Sequence, residues 1–155
     1  PPPPPPFSSR RRHTRCSRWS RGLGDVYKRQ LFTSAQETIA LSAIYAANHY
    51  PNVKGIASLT ESGTTPLLMS RLSSGLPIFG LSRNAVTLQK LSLCRGVVPL
   101  YFDAEAFDAD SVEARAIEFL SDGGFLARGD SILLTKGEVM GRSGSTNIMK
   151  ILPVS

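Results

Sequence analysis

One feature constrains this chain more than any other: short apolar runs alternate with stretches of helical periodicity. The runs "VKGIASL" (53–59), "LPIFGLS" (76–82) and "VVPLYF" (97–102) are each bounded by turn residues and are too short for stable helices, so they read as strands. Each is followed by a helical signal. The first lies over about Pro66–Ser73, with Thr64 or Thr65 as cap and Gly75 past its end. The second is "NAVTLQKLSLCRG", which places Ala85, Leu88, Leu91 and Cys94 on one face. The third is "SVEARAIEFL", where Asp110 and Glu113 have capping spacing, Val112, Ala116, Ile117 and Leu120 can face a sheet, and Gly123 and Gly124 end the run. A helix over "SAQETIALSAIYAANHY" precedes the series, with Ser34 and Glu37 at capping-box spacing and Pro51 as its stop. After the third pair the pattern changes. "SILLTKG" and "IMKILPV" are two β-rich runs with no helix between them, so the last strand runs antiparallel to its predecessor. The expected class is α/β, a three-layer domain with a mostly parallel five-stranded sheet and helices on both faces.

Charge does not belong to that pattern. The net +6 comes from residues 1–31, which hold seven arginines, Lys28 and one acid, Asp25; the remainder carries ten basic and eleven acidic side chains. The leading segment opens on six prolines and lacks apolar periodicity, so it buries too little to offset its ordering entropy and is expected to be disordered. It has no apolar stretch of about 7–15 residues, which excludes a secretory signal. As a basic arm it would offer Trp19 and Tyr27 for stacking on nucleic acid, a partner better set aside because "SSRRRHTRCSR" and "DVYKRQ" look like translated sequencing-adapter text. Residues 32–155 form the expected domain. No apolar run reaches the roughly 20 residues of a membrane helix, and Cys16 and Cys94 form neither a disulfide framework nor a metal motif, which makes a reducing, cytoplasmic compartment the default.

In an open α/β sheet, ligands gather beyond the carboxyl ends of the strands. Two segments there carry chemistry. "TESGTTPLL" (60–68) offers the hydroxyls of Thr60, Ser62, Thr64 and Thr65 around Gly63, an arrangement suited to an anion or simply to capping a helix. "GEVMGRSGSTN" (137–147) combines three glycines, three hydroxyl residues and Arg142, as a functional loop or as a flexible turn. His49 reads as complementing a helix end. The acidic stretch Asp103, Glu105, Asp108 and Asp110 could tempt a metal assignment, but solvated charge between elements is the simpler account. No Walker sequence, GxGxxG or Ser/His/Asp arrangement is present.

The blocks "ALSAIYAANH", "TESGTTPLLMSRLSSGLPIFGLSRN", "LCRGVVPLYFD" and "GDSILLTKGEVMGRSGSTNIMKIL" resemble the C-terminal domain of pyruvate kinases of bacterial type, in the family's order and over nearly all of residues 34–154. The resemblance implies a regulatory and oligomerisation domain, cytoplasmic and part of a homotetramer in the intact enzyme. Phosphoryl transfer from phosphoenolpyruvate to ADP, with Mg²⁺ and K⁺, would belong to a (β/α)8 barrel of about 250 residues that this chain does not contain, leaving it no catalytic residues of its own. Thr60, Ser62, Gly63, Thr64 and Thr65 match the family's effector-phosphate turn; Lys136 and Gly141, Arg142, Ser143, Gly144, Ser145 and Thr146 supply the facing loop. The implied effector is a sugar monophosphate or AMP rather than fructose 1,6-bisphosphate. The family's usual turn is "SGRT", and Thr64 stands where its arginine would, removing a charge-assisted bond worth about 1.5–3 kcal/mol. Arg142 or Lys136 is the candidate to replace it. The alternative is a stand-alone sensor of sugar phosphates or nucleotides on the same fold.

Overall fold

A computed structural model describes residues 32–72, 74–138 and 144–155. The basic leader therefore lies outside the described residues, as do Gly141, Arg142 and Ser143. The chain runs α1 (Ala35–His49), β1 (Val53–Leu59), α2 (Thr64–Ser70), β2 (Ile78–Ser82), α3 (Ala85–Leu91), β3 (Val97–Tyr101), a 3-10 turn (Ala104–Ala106), α4 (Val112–Asp122), β4 (Ser131–Gly137) and β5 (Thr146–Pro153). The strands form one sheet in the order β3-β2-β1-β4-β5. All neighbours are parallel except β4 and β5, as the missing helix between them requires.

Successive side chains of a strand point to opposite faces, and both faces of this sheet are covered. Ile56, Ile78 and Leu133 pack beneath α1, α2 and α3 against Ala40, Ala43, Ile44, Met69 and Leu91. Ala57, Phe79, Leu81, Ile132 and Leu134 face the other way, onto Val112, Ala116 and Leu120 of α4. Alanines at three positions of α1 let that helix approach the sheet closely, and Ile44 fills the space between them.

Helix starts follow the sequence unevenly. Ser34 caps α1 as expected, its Oγ accepting from Glu37 N at 3.2 Å, while the Glu37 carboxylate accepts from Thr33 N and Thr33 Oγ1 rather than from Ser34. Those Thr33 bonds, the backbone one first, hold the Glu37 carboxyl below its usual range. Three expectations need correction. Helix α2 starts at Thr64, and neither Thr64 nor Thr65 caps it: the cap is Gly63, in the left-handed region at φ 77°, where a Cβ would also lie 3.1 Å from Thr87 Cγ2. In α3 the buried residues are Thr87 and Leu91; Ala85 is exposed, because Asn84 caps the helix through Val86 N and Thr87 N and so fixes its rotation. Helix α4 is preceded by Ser111 with no side-chain cap, and Glu113 turns inward instead of back toward Asp110: its Oε1 lies 2.6 Å from both Lys136 Nζ and Lys150 Nζ.

Candidate effector cleft

Strand order explains why two distant loops meet. From β1 the chain moves through β2 to β3 on one side, then returns to place β4 on the other side of β1. The carboxyl ends of β1 and β4 therefore flank the switch point, where an α/β sheet opens a crevice. Residues 60–63 leave β1 there, and Gly137, Gly144, Ser145 and Thr146, from the described parts of the β4–β5 connection, line the same cleft.

The turn after β1 is fixed by its own hydroxyls. Thr60 N donates to Leu81 O at 3.0 Å, Gly63 N donates to Thr60 Oγ1 at 2.9 Å, and Ser62 Oγ and Thr64 Oγ1 share a bond of 2.9 Å. Thr87 Oγ1 donates to Glu61 O at 2.6 Å and ties the turn to α3. Across the switch point, the fully buried Thr65 donates from Oγ1 to Thr146 Oγ1 at 2.9 Å, so the two segments are joined directly. Gly137 allows the return of the hairpin, since a Cβ there would collide with Ser145.

One cleft results. Thr60, Ser62, Gly144, Ser145 and Thr146 are among its walls, with Gly137, Gln36, Ser82 and Phe102. It measures about 490 Å³ with its open mouth. Gly63, Thr64 and Thr65 stand behind this wall rather than in it. Lys136 is not part of it either: the side chain follows Ile132 and Leu134 onto the α4 face, and its ammonium is engaged by Glu113. It is therefore not the replacement for the arginine missing at position 64.

Among the described residues, the cation in the cleft is one that sequence reasoning missed. Arg83, the residue after β2, lines it and gives a two-pronged bond to Glu105, Nη1 to Oε2 at 2.5 Å and Nη2 to Oε1 at 2.7 Å; its Nε is 3.5 Å from Glu61 Oε1. Desolvation weighs most on the Arg83 guanidinium and lowers its pKa, but the Glu105 hydrogen bonds and the charges of Glu105, Glu61 and Asp103 together raise it above the usual value. Glu61, Arg83 and Glu105 leave the carboxyl ends of β1, β2 and β3 in turn. A strand order read from the sequence would have aligned them, whereas their spacing along the chain does not. One guanidinium against two carboxylates leaves the described walls at −1. Among the described residues no three His, Cys, Asp or Glu side chains come together to hold a metal ion. Nor is any described helix long and apolar enough to cross a membrane.

Residues 37–152 match the family described as "Pyruvate kinase, alpha/beta domain". Pyruvate kinase II of Salmonella typhimurium is 48% identical over 123 residues, covering 79% of this chain and 25% of that protein. A pyruvate kinase of Buchnera aphidicola subsp. Acyrthosiphon pisum is 46% identical over 123 residues, again 79% of this chain and 25% of the other. Human pyruvate kinase PKLR is 34% identical over 145 residues, 84% of this chain and 25% of that protein. The chain thus spans about a quarter of the length of the curated relatives it matches. With the family match covering residues 37–152 and relatives 46–48% identical over 79% of the chain, the chain belongs to the pyruvate kinase alpha/beta-domain family.

Proposed function

We propose that this domain is the regulatory part of a cytoplasmic, glycolytic pyruvate kinase and binds a phosphorylated effector in the cleft between the 60–65 turn and Gly137, Gly144, Ser145 and Thr146. In that reading the chain performs no phosphoryl transfer itself. Pyruvate formation from phosphoenolpyruvate and ADP, with its Mg²⁺ and K⁺, belongs to the rest of a homotetrameric enzyme. The observation that carries the proposal is the junction of the two loops at the switch point, held by Thr65 and Thr146. Hydroxyls and, among the described residues, one guanidinium at that rim suit a phosphate, and described walls at −1 favour one phosphate over two. A sugar monophosphate or AMP is therefore preferred to fructose 1,6-bisphosphate.

The test is a melting experiment on the 155-residue chain with AMP, glucose 6-phosphate and fructose 1,6-bisphosphate. A ligand at one hundred times its Kd stabilises the folded state by about 2.7 kcal/mol, which raises Tm by several degrees in a domain of this size, roughly 2–8 °C per kcal/mol. A monophosphate should give that shift at lower concentration than the bisphosphate. Tm unchanged with all three, or a preference for the bisphosphate, would contradict the proposal.

A further inference from the structure

We infer that Arg83 and Glu105 form a latch on the cleft: the entering phosphate takes the Arg83 guanidinium from Glu105, and the affinity of the site is set by that exchange. The inference rests on the effector reading above and adds what the ligand must displace.

Geometry supplies the argument. Arg83 and Glu105 both line the cleft and are bonded to each other, so an anion that takes the guanidinium must displace the carboxylate. The carboxylate that gives way sits on the 3-10 turn Ala104–Ala106, at the cleft's solvent edge. Glu105 N–H donates to Asp103 Oδ1 at 3.1 Å, and both side chains of the pair are 39% exposed, so the released carboxylate can be solvated where it stands. Arg83 is anchored differently. It follows β2 directly, and Glu61 stays beside its Nε when Glu105 leaves, so the guanidinium remains in the cleft with its two Nη groups free for a planar pair of oxygens.

The charge balance agrees. With Glu105 seated the described walls sum to −1; with it turned out, Arg83 and Glu61 cancel and a dianionic phosphate meets described walls of no net charge. The same exchange addresses the turn's missing arginine: the cation comes from the neighbouring strand end and is stored as an ion pair until an anion replaces its partner.

Isothermal titration of AMP into the full chain and three variants tests this. Glu105→Gln should tighten binding by about threefold to tenfold, since it removes the competitor, and Arg83→Gln should weaken it by about tenfold or more. Glu118→Gln, which deletes one acid on the outer face of α4 at 58% exposure, should leave affinity unchanged and so separates the latch from general charge. Amide exchange in residues 103–107 should rise when AMP saturates the wild type. If AMP binds the wild type and Glu105→Gln binds no better, or Arg83→Gln binds as well, the latch is refuted while the cleft stands. If neither AMP nor inorganic phosphate binds any variant, Glu105→Gln included, the effector reading itself fails and the latch with it.

Discussion

Replacing Glu113 by Gln should be among the most damaging single changes in this domain. The carboxylate sits under the first turn of α4, 15% exposed, and its Oε1 is shared between Lys136 and Lys150, each at 2.6 Å. Lys136 is the sensitive partner: only 11% of its side chain reaches solvent, whereas Lys150 is 46% exposed and can be hydrated where it is. An uncompensated ammonium at such a site costs about 3–5 kcal/mol when its partner is removed, and the residual water contact argues for the lower end, about 3 kcal/mol. With a urea m-value of about 2 kcal/mol/M, the midpoint should fall by roughly 1.5 M. A second variant fixes the cause. Glu113→Gln with Lys136→Met replaces the pair by apolar volume and should recover most of the loss, because the penalty lies in the stranded charge and not in a missing attraction. The pH dependence follows from the same contacts. Burial is the largest influence and raises the Glu113 pKa, but the hydrogen bonds from Lys136 and Lys150, followed by their charges, outweigh it and leave the group below its ordinary 4.5. A lowered folded-state pKa contributes stability above the unfolded value and loses it as pH falls through the folded one. The gap between wild type and Glu113→Gln should therefore be constant from about pH 6 to 8 and close below about pH 4.5. A loss under about 0.5 kcal/mol, or a gap that persists unchanged to pH 3, would refute the reasoning.

Two further changes probe the turn itself. Thr65→Val keeps the shape but strands the buried Thr146 hydroxyl, and should cost about 1–3 kcal/mol. Adding Thr146→Val should return part of it, and a double-mutant cycle with no coupling would dismiss the bond between the two loops. Gly63→Ala forces a Cβ into the left-handed region at φ 77° and toward Thr87, and should cost about 1–2 kcal/mol in a urea titration; a neutral result would mean that the turn relaxes.

What the sequence revealed and what it hid divide along a physical line. Strands and helices announce themselves through periods of two and of three to four residues, so all five strands and all four helices stand near their expected places, down to the cap at Ser34. Local spacing misled where a distant partner was stronger. Asp110 and Glu113 have the same interval as Ser34 and Glu37, but Glu113 faces β4 and β5 and is taken by Lys136 and Lys150, the latter 37 residues away in sequence. Thr64 and Thr65 lost the cap to Gly63 because the chain turns too sharply after β1 for a residue with a Cβ. The cleft was legible in its hydroxyl and glycine content. Its charge was not, since Arg83, Glu61 and Glu105 converge only once β1, β2 and β3 lie side by side.

The bond between Thr65 and Thr146 spans 81 positions of chain. As the polypeptide emerges from a ribosome, one half of the cleft is therefore synthesised long before the other, and nothing can occupy it until the final strand has docked. On the proposed reading, effector affinity reports on finished folding: a chain interrupted before β5 would retain most of its sheet and still lack half of the proposed site.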